Sequence, residues 1–105
     1  MGVDIHVPSD KVWAFYVCNK ERLGKEMVLI AENTDTEYAV YLTDEDDMPV
    51  LAVAKGDGKI EYKEQCVNAG DCAATAKDIY ARYLFPVEES DEKYVRENGQ
   101  DEELQ

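Results

Sequence analysis

Residues 50–85, VLAVAKGDGKIEYKEQCVNAGDCAATAKDIYARYLF, change period half-way, and that change decides the fold. The first half reads as a hairpin. VLAVAK (50–55) is β-branched and apolar, and Gly56-Asp57-Gly58 supplies the positive φ of a tight turn. Residues 59–66, KIEYKEQC, then alternate, with Ile60 and Tyr62 expected on one face and Glu61 and Lys63 on the other. From Asp71 the spacing is helical: Cys72, Ala76, Ile79, Tyr80 and Tyr83 form one stripe. Asp71 is suited to cap the first turn, and Pro86 pushes Phe85 out of the α region and ends the helix. A main helix is therefore predicted over 71–85.

Upstream, EMVLIAE (26–32) and EYAVYLT (37–43) also suit strands, separated by the turn cluster Asn33-Thr34-Asp35-Thr36. KVWAFYVC (11–18) is rich in aromatic and β-branched residues and reads as a further strand. The fold class expected is α+β: an antiparallel four- to five-stranded meander with one main C-terminal helix on one face. Both faces of the first four strands look apolar: Trp13, Phe15 and Val17 against Val12, Ala14 and Tyr16, and Leu51 and Val53 against Val50 and Ala52. Such a sheet is buried on both sides. One helix covers one face, so the other is expected to take the N-terminal segment, the tail or a second copy of the chain.

Residues 1–85 form the expected domain, and 86–105 an acidic tail with eight acids and two bases. Ser90 before Asp91-Glu92, with Gly99 beyond, predicts a short acidic C-terminal helix at 90–98. The whole chain of 105 residues carries 24 acids against 11 bases, a formal charge of −13. That balance argues against direct nucleic-acid binding and against anionic membranes, both of which need clustered Lys and Arg. No stretch is apolar for long enough to span a bilayer, and MGVDIHVPSD has neither the basic nor the apolar part of a signal peptide. Cys18, Cys66 and Cys72 are odd in number and lack a Cys-x-x-Cys pair, so a disulfide framework is not expected. A cytoplasmic protein with reduced thiols follows.

The motifs offer little chemistry. His6 with three cysteines is enough for a zinc site in number but not in spacing. Cys66 and Cys72 flank a strand-to-helix connection and read as packed thiols rather than as a redox pair. Asp44-Glu45-Asp46-Asp47 lacks the ligand spacing and glycine of a calcium loop and reads as a solvated acidic turn. The single His has no evident orienting partner, and no nucleophile–base pair is readable. No enzyme activity, cofactor or metal is expected. Seven Tyr against two Phe suit either an interface or the rim of a core.

Charge is the remaining signal. A net −13 exceeds what solubility asks of a small domain, about 2–8. An acidic face complementary to a basic protein surface speeds association and selects partners. In composition alone the chain looks like the small acidic DNA-mimic inhibitors of phage and mobile elements, the anti-restriction and anti-CRISPR proteins. No motif carries that likeness. The expectation is a non-catalytic acidic interaction protein. Its partner-binding residues would be Asp44, Glu45, Asp46, Asp47, Glu88, Glu89, Asp91 and Glu92. The alternative is a small homodimeric domain, structural or small-molecule-binding, paired through its second sheet face.

Overall fold

The computed structural model of the chain describes residues 2–85. Five strands form one antiparallel meander in the order β1-β2-β3-β4-β5: β1 (Val3–Ile5), β2 (Val28–Asn33), β3 (Tyr38–Glu45), β4 (Met48–Ala54) and β5 (Ile60–Gln65). Between β1 and β2 lie a 3₁₀ turn at Ser9–Lys11, α1 (Val12–Cys18) and α2 (Lys20–Leu23). After β5 comes α3 (Ala69–Ile79), which runs on into a π-helical turn, Tyr80–Leu84. The short acidic helix expected at 90–98 lies outside the described residues.

Residues 11–18 correct the sequence reading: they form a helix, not a strand. Val12, Tyr16 and Leu23 are buried at spacings of four and seven, while Val17 is 56% exposed. That is the footprint of a helical face. Strand propensity is a weak preference that packing overrides. Pro8-Ser9-Asp10 stands before α1, Asn19 caps its end, and Gly24 caps α2.

All the helices lie on one side of the sheet. Val40, Leu42, Leu51 and Val53 project from alternate positions of β3 and β4 into one core with Val12, Tyr16, Leu23, Cys72, Ala76, Ile79 and Leu84. The N-terminal helices therefore join α3 on its face and leave the second face without helical cover among the described residues. Two buried hydrogen bonds fasten the layers. The Tyr80 hydroxyl donates to the Val7 carbonyl at 2.8 Å, and the Asn33 amide donates to the Leu84 carbonyl at 2.8 Å.

Two bulges break strict alternation. In β2 the register slips between Leu29 and Ala31, so adjacent Ile30 and Ala31 are both fully buried. In β5, Tyr62 pairs with Val53 but Ile60 pairs with Ala54. Ile60 and Tyr62 thus fall on opposite faces, contrary to the alternation read from the sequence, because Glu61 is the extra residue.

The second face is less apolar than expected. Its rows run Leu29–Tyr41–Ala52–Lys63 and Thr43–Val50–Gln65. Val50, Ala52 and Ala54 are buried there without a helix above them. They are small side chains in an inner strand, and each has a larger neighbour on β5: Gln65, Lys63 and Ile60.

Candidate functional site

The four acids of residues 44–47 do not form one solvated turn. Asp44 and Glu45 extend β3, and only Asp46 and Asp47 turn the chain. Both are left-handed, at φ 56° and 62°, the geometry of a two-residue type I′ hairpin closed by the pair Glu45–Met48. Alternation then sends the carboxylates apart. Asp44 turns to the helices and accepts the Tyr16 hydroxyl at 2.6 Å. Burial first, and this carboxylate second, push the Tyr16 hydroxyl well above the usual tyrosine range. Glu45 pairs with Lys63 at 2.8 Å, and Asp47 with Lys20 at 3.1 Å. Asp46 is exposed and makes no ion pair among the described residues. Glu88, Glu89, Asp91 and Glu92 lie outside them.

A second group of acids, not singled out in the sequence, gathers at the β1–β2 edge. Asp4 and Glu32 are directly paired across the strands, and His6 follows Asp4 by two residues. His6 Nε2 lies 3.7 Å from Asp4 Oδ2 and 4.0 Å from Glu32 Oε2. The three ligating atoms are all within 4.8 Å of one another. No sequence pattern announces this set, because Glu32 arrives through strand pairing. None of the three cysteines considered as partners of His6 belongs to this set.

Glu32 also lines an open groove of about 340 Å³ between the β2–β3 and β4–β5 turns, with Glu37, Tyr38, Tyr41, Lys55 and Gly58. Lys55 Nζ stands 4.7 Å over the Tyr38 ring. Tyr38 and Tyr62 pack on Tyr83, at 5.1 and 6.2 Å between centroids, so these tyrosines edge the core. Tyr80 is buried in it, and burial raises its hydroxyl above the usual range. Tyr41 alone of the five sits in a second-face row.

Cys66 and Cys72 do come together, fully buried below the start of α3. The neighbouring Cys72 first, and burial second, push the Cys66 thiol above the ordinary value. The cap of α3 is Asn68, not Asp71: its side chain accepts the Asp71 amide at 2.8 Å. Asp71 reaches back to the Val67 amide at 2.9 Å, a variant of the capping box.

The ion-pair pattern is lopsided. Residues 1–85 hold 16 acids and nine bases. Among the described residues only Glu26, Glu45, Asp47 and Asp78 pair with Lys or Arg within 4.0 Å. Compared with protein-family models, curated proteins and solved structures, the chain matches none. No helix among the described residues is long and apolar enough to cross a membrane.

Proposed function

We propose that this protein is a non-catalytic binding protein whose acidic surface docks on a basic protein surface. In its sharpest form it occupies a nucleic-acid channel, with carboxylates standing where phosphates would lie. One observation carries this reading: 12 of the 16 acids in residues 1–85 have no Lys or Arg partner among the described residues. With nine bases against those 16 acids the domain keeps a net charge of −7, and the tail adds a further net −6. The field of such a charge steers a basic partner and is screened by salt.

The partner-facing acids proposed are the unpaired Asp46 at the β3–β4 hairpin, flanked by Glu45 and Asp47, whose exposed lysine pairs a basic partner displaces, with Glu88, Glu89, Asp91 and Glu92 of the tail. Asp44 belongs to the sequence-based set, but its bond to Tyr16 gives it a structural role as well. The test is capture from lysate at about 0.1 M and about 0.5 M salt, where the screening length shortens roughly twofold. The wild type is compared with a variant carrying Glu45→Gln, Asp46→Asn and Asp47→Asn. Asn tolerates the left-handed turn positions, so the hairpin survives. A basic nucleic-acid-handling protein held at low salt, released at high salt and weakened by the variant supports the proposal. Equal capture by both proteins at both salts removes the hairpin acids from it.

The second reading is a homodimer through the open sheet face. Leu29, Tyr41, Val50 and Ile60 belong to rows of that face and favour it. A salt-insensitive dimer in sedimentation, with no basic partner captured, would select it.

A further inference from the structure

We propose that Asp4, His6 and Glu32 form a surface binding site for a divalent first-row transition metal of the zinc class. It stands apart from the acidic-surface reading and does not depend on it.

The donor set argues first. One imidazole nitrogen and two carboxylate oxygens suit zinc and its neighbours. Magnesium and calcium favour all-oxygen shells, and no thiolate is present to select copper(I). Three protein ligands leave coordination positions open to water or to a small anionic ligand.

Geometry argues second. The ligand atoms come from neighbouring antiparallel strands, not from one floppy loop. Asp4 and Glu32 are register partners, so their spacing is fixed by the ladder. His6 is fixed by its own backbone: the amides of His6 and Val7 both donate to the Ile30 carbonyl, at 2.9 and 3.1 Å. Ile30 is the extra residue of the β2 bulge, and bulges commonly re-aim a neighbouring chain at a site. Around a tetrahedral zinc, ligand atoms lie roughly 3.3 Å apart, from bond lengths of about 2.0–2.1 Å. The His6 distances of 3.7 and 4.0 Å need to contract by less than about 1 Å, and the carboxylate pair, within 4.8 Å, by no more than about 1.5 Å. Exposed side chains on a fixed backbone make such a change by small torsions.

Electrostatics argue third. Like charges directly opposite on paired strands repel. Neither Asp4 nor Glu32 has a Lys or Arg within 4.0 Å among the described residues, and His6 is the group between them. A dication at that point converts the repulsion into two attractions.

The probe is Zn²⁺ titrated into the metal-free full chain, followed by calorimetry and by NMR of the imidazole C–H resonances. The chain has a single His, so those signals are unambiguous. Every protein carries Cys18→Ser, which removes the exposed thiol. The expected result is one-to-one binding that shifts the His6 resonances to saturation. His6→Ala and the pair Asp4→Asn/Glu32→Gln each weaken it tenfold or more, and Mg²⁺ at the same concentration leaves the resonances in place. All three residues are exposed or half-buried, so the variants fold. Unmoved imidazole resonances, or unchanged Zn²⁺ affinity in His6→Ala, would overturn the site.

Discussion

Tyr80 and Tyr16 show how single polar atoms govern this small core. Each is almost wholly buried, and each hydroxyl has one protein acceptor, the Val7 carbonyl and the Asp44 carboxylate. Both hold their protons far above the ordinary tyrosine value of about 10. At neutral pH both are neutral in the folded and the unfolded chain. Above about pH 10 the unfolded chain ionises first, so it binds fewer protons and stability falls as pH rises. Chemical denaturation from pH 7 to 11 should show a plateau to about pH 9 and then a decline. Tyr80→Phe should cost about 1–2 kcal/mol at pH 7, because the Val7 carbonyl loses its donor. Its alkaline decline should be shallower than that of the wild type. A variant as stable as the wild type at pH 7, with an identical decline, would remove Tyr80 from this account.

At the scale of elements, β2 to β5 and the body of α3 were legible in the sequence. Their signals are local: β-branched runs, turn residues and a switch of period. In residues 11–18 aromatic and β-branched composition points to a strand while spacing points to a helix, and spacing is what packing follows. Val12, Tyr16 and Leu23 already have helical spacing, and the signal lay in that spacing and in the flanking Pro8-Ser9-Asp10 and Gly24. Alanine substitutions separate the two readings. Val12→Ala should cost about 2 kcal/mol as a buried side chain. Val17→Ala, on the exposed face of a helix, should stay within about 0.5 kcal/mol of wild type. A two-faced buried strand would make both costly. The bulges at Ile30 and Glu61 left no trace in the sequence, since an extra residue in a ladder is defined only by its partner strand. The acids of the hairpin were visible as a run, but their separation into Asp44 inward and Glu45 across the sheet required the register.

At the scale of the molecule, charge dominates. A chain of net −13 repels itself, and salt screens that repulsion. Thermal melting from about 0.05 to about 0.5 M NaCl should show a rise of roughly 5 °C, equivalent to about 1 kcal/mol. A flat or falling melting temperature would mean that the acids are compensated in ways the ion pairs do not reveal. By itself the amino-acid sequence determined the acidic character, the β2–β5 part of the meander, the C-terminal helix and the absence of a patterned metal or nucleophile motif. These depend on composition and on contacts close along the chain. β1 (Val3–Ile5) carried too short a signal to be read. Only the tertiary structure decided that all the helices share one face, that Cys66 meets Cys72, and that Glu32 joins Asp4 and His6. Each of those joins residues by strand register or by layer packing. The energy that selects a register is spread over the whole core, so no short stretch of sequence records it.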